Sequence, residues 1–326
     1  MVNYIIKYFH TIKYLKVIQI RYQLWYRTRR FWRKLISFKY PLSINKKGEK
    51  LILSDWINKS TSFEENTFTF LNQSKTFPDN EIEWDFSSFG KLWTYNLNYF
   101  DFLLQPKMNF EIGLKLIRDF ILKLNNNSTA LEPYPIALRG INWIKFISKY
   151  ESEISEHCKL KTVNFSLYAQ YQILLDNIEY HLLGNHLLED GFSLLFGAFY
   201  FNDNKFFHKA NQIIISELKE QILDDGGHFE LSPMYHQIIL DRLLDCINLV
   251  QNNQKFDNQD NLLALMKVNA YKMLEWLNAI TFSNNEIPLF NDSAPGIAPS
   301  TDKLNKYANN LNFKLETFVI GFSPLF

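Results

Sequence analysis

Phe165-Ser166-Leu167-Tyr168-Ala169-Gln170-Tyr171-Gln172-Ile173-Leu174-Leu175-Asp176-Asn177-Ile178-Glu179-Tyr180-His181-Leu182-Leu183 sets the fold class. Leu167, Tyr171, Leu174, Ile178 and Leu182 recur at the helical period and form one apolar stripe, the mark of a helix with one buried face. The pattern continues on both sides, with candidate helices at 109–124, 139–150, 165–183, 187–201, 204–222, 233–251, 262–281 and 302–311. The links between them are short, such as Asn125-Asn126-Asn127 and Asp224-Asp225-Gly226-Gly227, and helices joined by short links pack as antiparallel hairpins. Only 11 glycines occur in 326 residues, which argues against a turn-rich sandwich or barrel. The expected fold is therefore mainly α, built of antiparallel helix hairpins. No sequence repeat marks a standard solenoid, and the residues leave toroid and solenoid both open.

At 47% hydrophobic, the chain can bury a large core in one big domain or two. Its 29 Phe, 17 Tyr and 7 Trp suit that core, although aromatic rings also line sugar-binding grooves. The net charge of +1 hides an asymmetry: residues 1–50 carry 13 Lys/Arg and a single acid, Glu49, whereas residues 51–326 carry 22 basic and 33 acidic side chains. An acidic body fits nucleic acid poorly, so no nucleic-acid partner is expected. Residues 1–45 read as a basic amphipathic helical arm, with Ile5, Phe9, Ile12 and Leu15 at helical spacing and Arg21, Arg27, Arg29, Arg30 and Arg33 interleaved with Tyr22, Trp25, Tyr26, Phe31 and Trp32. Residues 1–39 suit either peripheral contact with an anionic membrane or packing against the acidic body. Residues 46–91 read as irregular, with a short strand at Lys50-Leu51-Ile52-Leu53, and 92–311 as the helical domain. No run of eighteen apolar residues and no signal-peptide pattern occurs, so a cytoplasmic location is expected, membrane-peripheral if the arm binds lipid. Cys158 and Cys246 lie far apart in helical contexts and read as unpaired.

The chemistry-bearing side chains gather at helix starts, where backbone N–H groups and the positive end of the helix dipole point outward. In Leu182-Leu183-Gly184-Asn185-His186-Leu187-Leu188-Glu189-Asp190, Gly184 suits a helix end and Asn185 suits an N-cap. The pair Asn185 and His186 therefore reads either as a cap beside a packing residue or as an anion-binding pair. In Asp224-Asp225-Gly226-Gly227-His228-Phe229-Glu230-Leu231-Ser232-Pro233-Met234-Tyr235-His236, Ser232 is an N-cap and Pro233 the first helical residue. His228, Glu230, Tyr235 and His236 crowd into nine residues, a density of titratable groups that points to a site. His-x-Glu-x5-His is no standard zinc spacing, so neither a metal nor a cofactor is expected. A Pro-bounded loop at Glu132-Pro133-Tyr134-Pro135 feeds a helix carrying Arg139, Asn142 and Trp143. Arg can clamp a carboxylate and Trp can stack on a sugar, or the segment is packed loop with a structural arginine. Leu92-Trp93-Thr94-Tyr95-Asn96-Leu97-Asn98-Tyr99-Phe100-Asp101 is likewise a core helix start or a sugar-facing wall that presents Tyr95. Phosphate-loop, dinucleotide, nucleophile-elbow and kinase patterns are missing from the sequence.

Four of these segments occur in one order: Leu92 to Asp101, Tyr134 to Trp143, Gly184-Asn185-His186 and Ser232-Pro233-Met234-Tyr235-His236. Together they resemble the heparinase II/III-like polysaccharide lyases, relatives of alginate lyases, over roughly residues 65–310. The resemblance implies an incomplete (α/α) toroid, followed in the family by a large β-sandwich domain, and β-elimination on uronic-acid polysaccharides. It assigns Asn185 and His186 to neutralising the uronate carboxylate and Tyr235 to proton transfer at the glycosidic oxygen. It makes Tyr95, Tyr134, Arg139, Asn142, Trp143, His228, Glu230 and His236 candidates for substrate binding. The family draws a further catalytic His or Tyr from the β domain, and residues 312–326 read as the truncated start of that domain. The expected partners are an acidic polysaccharide and a separate polypeptide supplying the β domain. The readings carried forward are an impaired lyase, a non-catalytic glycan-binding or assembly protein of surface-polysaccharide production, and a decayed gene fragment.

Overall fold

Tyr171 shows how the helical part is assembled. In the computed structural model, which describes residues 13, 15–78, 81–151 and 160–313, its ring is fully buried. A Cβ on Gly140 would lie 2.5 Å from the Tyr171 hydroxyl, and one on Gly197 would lie 2.8 Å from its ring. Two glycines on facing helices thus make the slot for one large side chain, since a core at native packing density has no slack for an added methyl. The helices are α4 (Pro133–Lys149), α5 (Lys161–Asp176), which carries Tyr171, and α6 (Gly184–Phe201). Ser193 of α6 donates to the Ala137 carbonyl of α4 at 2.7 Å.

The chain divides into two units, Met1–Leu53 with Asn58–Glu217, and Ser54–Ile57 with Leu218–Phe326. The first holds α1 (Val17–Leu35), three short strands, α2 (Lys91–Tyr99), α3 (Phe110–Lys123) and α4 to α6. The division falls within α7 (Asn204–Gln221). The second unit holds α8 (Pro233–Asn252), α9 (Gln259–Ile280) and α10 (Thr301–Asn310), which pack on one another. Residues 314–326 and Cys158 lie outside the described residues, as do residues 1–12 of the arm. Cys246 is buried.

Several boundaries differ from the sequence reading. The strand expected at Lys50–Leu53 is not formed. The chain just before it is instead tied to two helices, the Ile44 N–H donating to the Phe165 carbonyl and the Glu49 N–H to the Tyr200 carbonyl. The sheet lies at β1 (Phe63–Glu64), β2 (Thr67–Phe70) and β3 (Gln73–Thr76), antiparallel in that order, with Phe63 opposite Phe68 and Phe70 opposite Gln73. Both of its turns place two residues at positive φ, Glu65-Asn66 and Leu71-Asn72, the tight-turn geometry that matches strand twist. Phe68 and Phe70 alternate inward and meet Trp84 and Trp93.

The stripe at 165–183 breaks at Asp176. Asn177 turns its side-chain amide back onto the Ile173 carbonyl at 2.6 Å and caps the helix, so Ile178 and Leu182 lie in a loop that only continues the period by coincidence. The loop is held from outside by α1: Tyr26 donates to the Ile178 carbonyl and Gln19 to the Leu182 carbonyl. Helix α4 begins at Pro133, six residues before the expected start. Two prolines fit a first turn because their missing N–H groups have no helical acceptor there. Tyr134 is therefore helical rather than part of a loop.

Candidate active site

Asn185 is not the N-cap of its helix. Helix α6 starts at Gly184, no side chain caps it, and the preceding Leu183 sits at φ 64°. A leucine in that region is strained, and such strain collects where the surroundings fix a local geometry. Asn185 and His186 therefore occupy the first turn without serving as its cap. The other cluster starts in the same way: Leu231 has φ 51°, and Ser232 then caps α8 by accepting from the Tyr235 backbone N–H at 3.4 Å, with Pro233 first in the helix. Asn291 donates to the Leu231 carbonyl and Ser293 lies 3.0 Å from the Ser232 hydroxyl, which fixes the turn.

His186 is built into a constellation that the sequence reading did not include. Its Nδ1 lies 2.9 Å from Glu179 Oε2, with the His186 side chain 42% exposed and Glu179 at 8%. A buried carboxylate on Nδ1 selects the tautomer, so chemistry at this ring runs through Nε2. The Tyr134 ring lies 4.4 Å from the imidazole, and Tyr99 packs edge-on against Tyr134. Glu179 is itself anchored, its backbone N–H donating to Asp190 Oδ2 at 2.7 Å. Asp190 is fully buried, and Oδ1 has no hydrogen-bond partner among the described residues. Burial, with the Glu179 charge added, raises the Asp190 carboxyl well above the usual range. Burial likewise raises the Tyr99 phenol and lowers His181. Glu179 lies seven residues before His186 in a loop that carries no motif. Only the turn at 177–183 brings it to the ring.

Five of the expected substrate-binding residues are interior, and their partners give them structural roles. Arg139 is fully buried and donates to the Gln170 side chain and to the carbonyls of Asn98, Pro135 and Ala130. All of these acceptors are neutral, and burial lowers the guanidinium to about 9. Asn142 donates to the Tyr99 carbonyl and to Asp101. Trp143 packs against Phe100 and Phe120. His236 is buried beside Trp276, with Nε2 donating to the Met273 carbonyl at 3.0 Å and Nδ1 accepting the His228 backbone N–H. His228 is buried with Nε2 on Gln221. Burial lowers His228 to about 3 and His236 to about 4, so both are neutral at physiological pH. The candidates that are not buried are half-buried Tyr95, Tyr134, Asn185, His186 and Tyr235, and exposed Glu230. Tyr95 bonds Glu132, which Lys91 also pairs at 2.9 Å. Burial, reinforced by Glu132, raises the Tyr95 phenol to about 12. Among the described residues no group of three or more His, Cys, Asp or Glu side chains could hold a metal ion.

The mainly helical fold matches the helical region of heparinase-type lyases. A heparinase III gene product with methylated lysines has TM-score 0.54 and 16% identity, over 76% of this chain and 43% of that one. Heparinase III has TM-score 0.52 and 19% identity, over 72% and 39%. A heparan sulfate lyase HepC mutant from Pedobacter heparinus has TM-score 0.50 and 16% identity, over 70% and 39%. The chain thus spans about two fifths of the length of these structures. No curated protein sequence matches it. The heparinase II/III N-terminus family matches residues 141–316, more than half of the chain, and the chain belongs to that family.

Proposed function

We propose that this chain provides the helical part of a polysaccharide lyase that cleaves uronic-acid-containing glycan by β-elimination. The observation that carries this reading is His186, held at Nδ1 by buried Glu179 in the first turn of α6 and flanked by Tyr134. In the proposed step, Asn185 and His186 interact with the uronate carboxylate and acidify the C5 proton. A base, in this reading the further His or Tyr of the β domain, takes the C5 proton; the electron pair left behind forms the C4–C5 double bond, the C4–O bond breaks, and Tyr235 gives its phenolic proton to the departing oxygen. Donors fixed where charge develops stabilise such an enolate-like state. Positioned proton transfer adds about 10²–10⁴-fold.

The test is absorbance of the unsaturated uronate product on incubation with heparan sulfate, alginate and related uronate polymers, alone and with a supplied β domain. Product formation that Tyr235→Phe abolishes without a change in melting temperature supports the reading. Silence on every polymer under both conditions overturns it. The cationic aromatic face of α1 favours a second reading, glycan binding or assembly at a membrane without chemistry, in which Tyr235→Phe leaves glycan affinity unchanged.

A further inference from the structure

Helix α1 contributes no buried residue, yet one of its faces is fastened to the first unit. Tyr22 stacks on Tyr180 with ring centroids 4.6 Å apart. Tyr26 donates to the Ile178 carbonyl. Arg29 and Arg33 pair with Asp176 at 2.9 and 2.5 Å, and Tyr40 bonds the same carboxylate. Tyr22, Tyr26, Arg29 and Arg33 follow at steps of four, three and four residues, so they form a single stripe.

At 100° per residue, Val17, Leu24, Phe31 and Leu35 fall on the opposite side, and Trp25 and Trp32 lie on the flank between that stripe and the fastened one. All six are more than half exposed. Arg21, Arg27 and Lys34 flank them and are exposed. No acidic residue occurs between Val17 and Leu35. By contrast Trp84, Trp93, Trp143 and Phe68 are among the largest fully buried side chains. A contiguous apolar face rimmed by cations therefore needs an occupant.

We propose that this face of α1 seats on an anionic lipid bilayer, with the helix lying in the interfacial plane. An aliphatic stripe, tryptophans at its margin and Arg/Lys around it are the composition of helices that lie at that depth, with rings among headgroups and cations on lipid phosphates. Among the described residues no helix is long and apolar enough to cross a membrane, so the contact is one of lying on the surface. The anchoring face fixes the orientation, because Arg29 and Arg33 are turned toward Asp176 while the stripe of Val17, Leu24, Phe31 and Leu35 points away. Symmetric pairing with a second copy is disfavoured, since a self-complementary contact would bring two cationic rims together.

The experiment is co-sedimentation of the full chain with vesicles of pure phosphatidylcholine and with vesicles containing phosphatidylglycerol, at low and high salt. Binding is expected only to the anionic vesicles and is expected to weaken as salt rises. The triple change R21E/R27E/K34E, which leaves Arg29 and Arg33 in place, should weaken binding at least about tenfold. Trp25→Ser with Trp32→Ser should weaken it without restoring salt resistance, and the wild-type tryptophan emission should shift to the blue on anionic vesicles. Circular dichroism and melting temperature confirm that each variant folds. Absence of binding, equal binding to both vesicle types, or variants that bind like wild type would overturn the proposal. So would a concentration-dependent dimer that the tryptophan variant abolishes. None of these readouts depends on glycan cleavage, so lyase activity and membrane seating stand or fall separately.

Discussion

Glu179 is the residue on which the candidate site turns, and its role is positioning. It touches no substrate in the proposed step, but it sets which imidazole nitrogen of His186 carries the proton. Glu179→Gln preserves the shape and a hydrogen bond but removes the charge that fixes the tautomer. The expected result is a fall of about tenfold or more in kcat with an unchanged melting temperature, accompanied by a redistribution of the His186 ring nitrogen shifts in NMR. A large loss of stability with unaltered nitrogen shifts would make Glu179 a packing residue. His228 and His236 make a different argument. Both are neutral in the folded chain, held at about 3 and 4 by burial, whereas unfolded histidine titrates near about 6.5. Their contribution is complete above that value and is lost as pH falls toward the folded values, because the unfolded chain takes up protons that the interior refuses. Each histidine should lower stability by about 2 kcal/mol between roughly pH 7 and pH 5. Urea unfolding of wild type and His236→Gln at the two pH values isolates the contribution, and equal slopes would disprove it. At this scale the sequence was half legible. It placed Asn185, His186 and Tyr235 at helix starts, but it also nominated Arg139, Asn142, Trp143, His228 and His236. A polar residue on the inner face of a helix has the same spelling whether it meets a ligand or a backbone carbonyl.

Elements were easier to read than residues, because the apolar period reports burial of a face directly. Eight helices were expected and each is present, but their ends moved. Asn177 stops α5 seven residues before the apolar pattern ends, and paired prolines open α4 six residues early. The sheet escaped notice because its turns are Glu65-Asn66 and Leu71-Asn72, which lack the glycine that usually announces a two-residue hairpin. The crossing of α4, α5 and α6 at Tyr171 carries a prediction of its own. Gly140→Ala places a methyl 2.5 Å from the Tyr171 hydroxyl and 3.2 Å from the Ser193 hydroxyl, and overpacking of this kind costs about 1–3 kcal/mol. Tyr171→Phe removes the nearest atom, so the double variant should recover part of the loss in thermal unfolding. Strictly additive losses would mean that the crossing relaxes by another route.

For the whole chain, the dominant feature is the separation of charge between a cationic arm and an acidic body. Asp176 is where the arm's cations are gathered. Burial alone works to raise its carboxyl, but hydrogen bonds from Tyr40 and Arg33 and the charges of Arg29 and Arg33 carry it below the ordinary carboxylate value. The attachment is therefore intact above the ordinary carboxylate range and is lost as pH falls through the depressed value. Asp176→Asn should mimic that loss at neutral pH, seen as faster tryptic cleavage after Arg27 and Arg30. Cleavage at the wild-type rate would show that Tyr22 and Tyr26 suffice to hold the arm. Asp176 and Glu179 stand close together on the same strap of chain that α1 grips from outside. The strap works as a rein: a helix drawn tight at one end keeps the imidazole aimed, and one let go slackens it. Releasing the arm should accordingly lower any turnover that depends on His186.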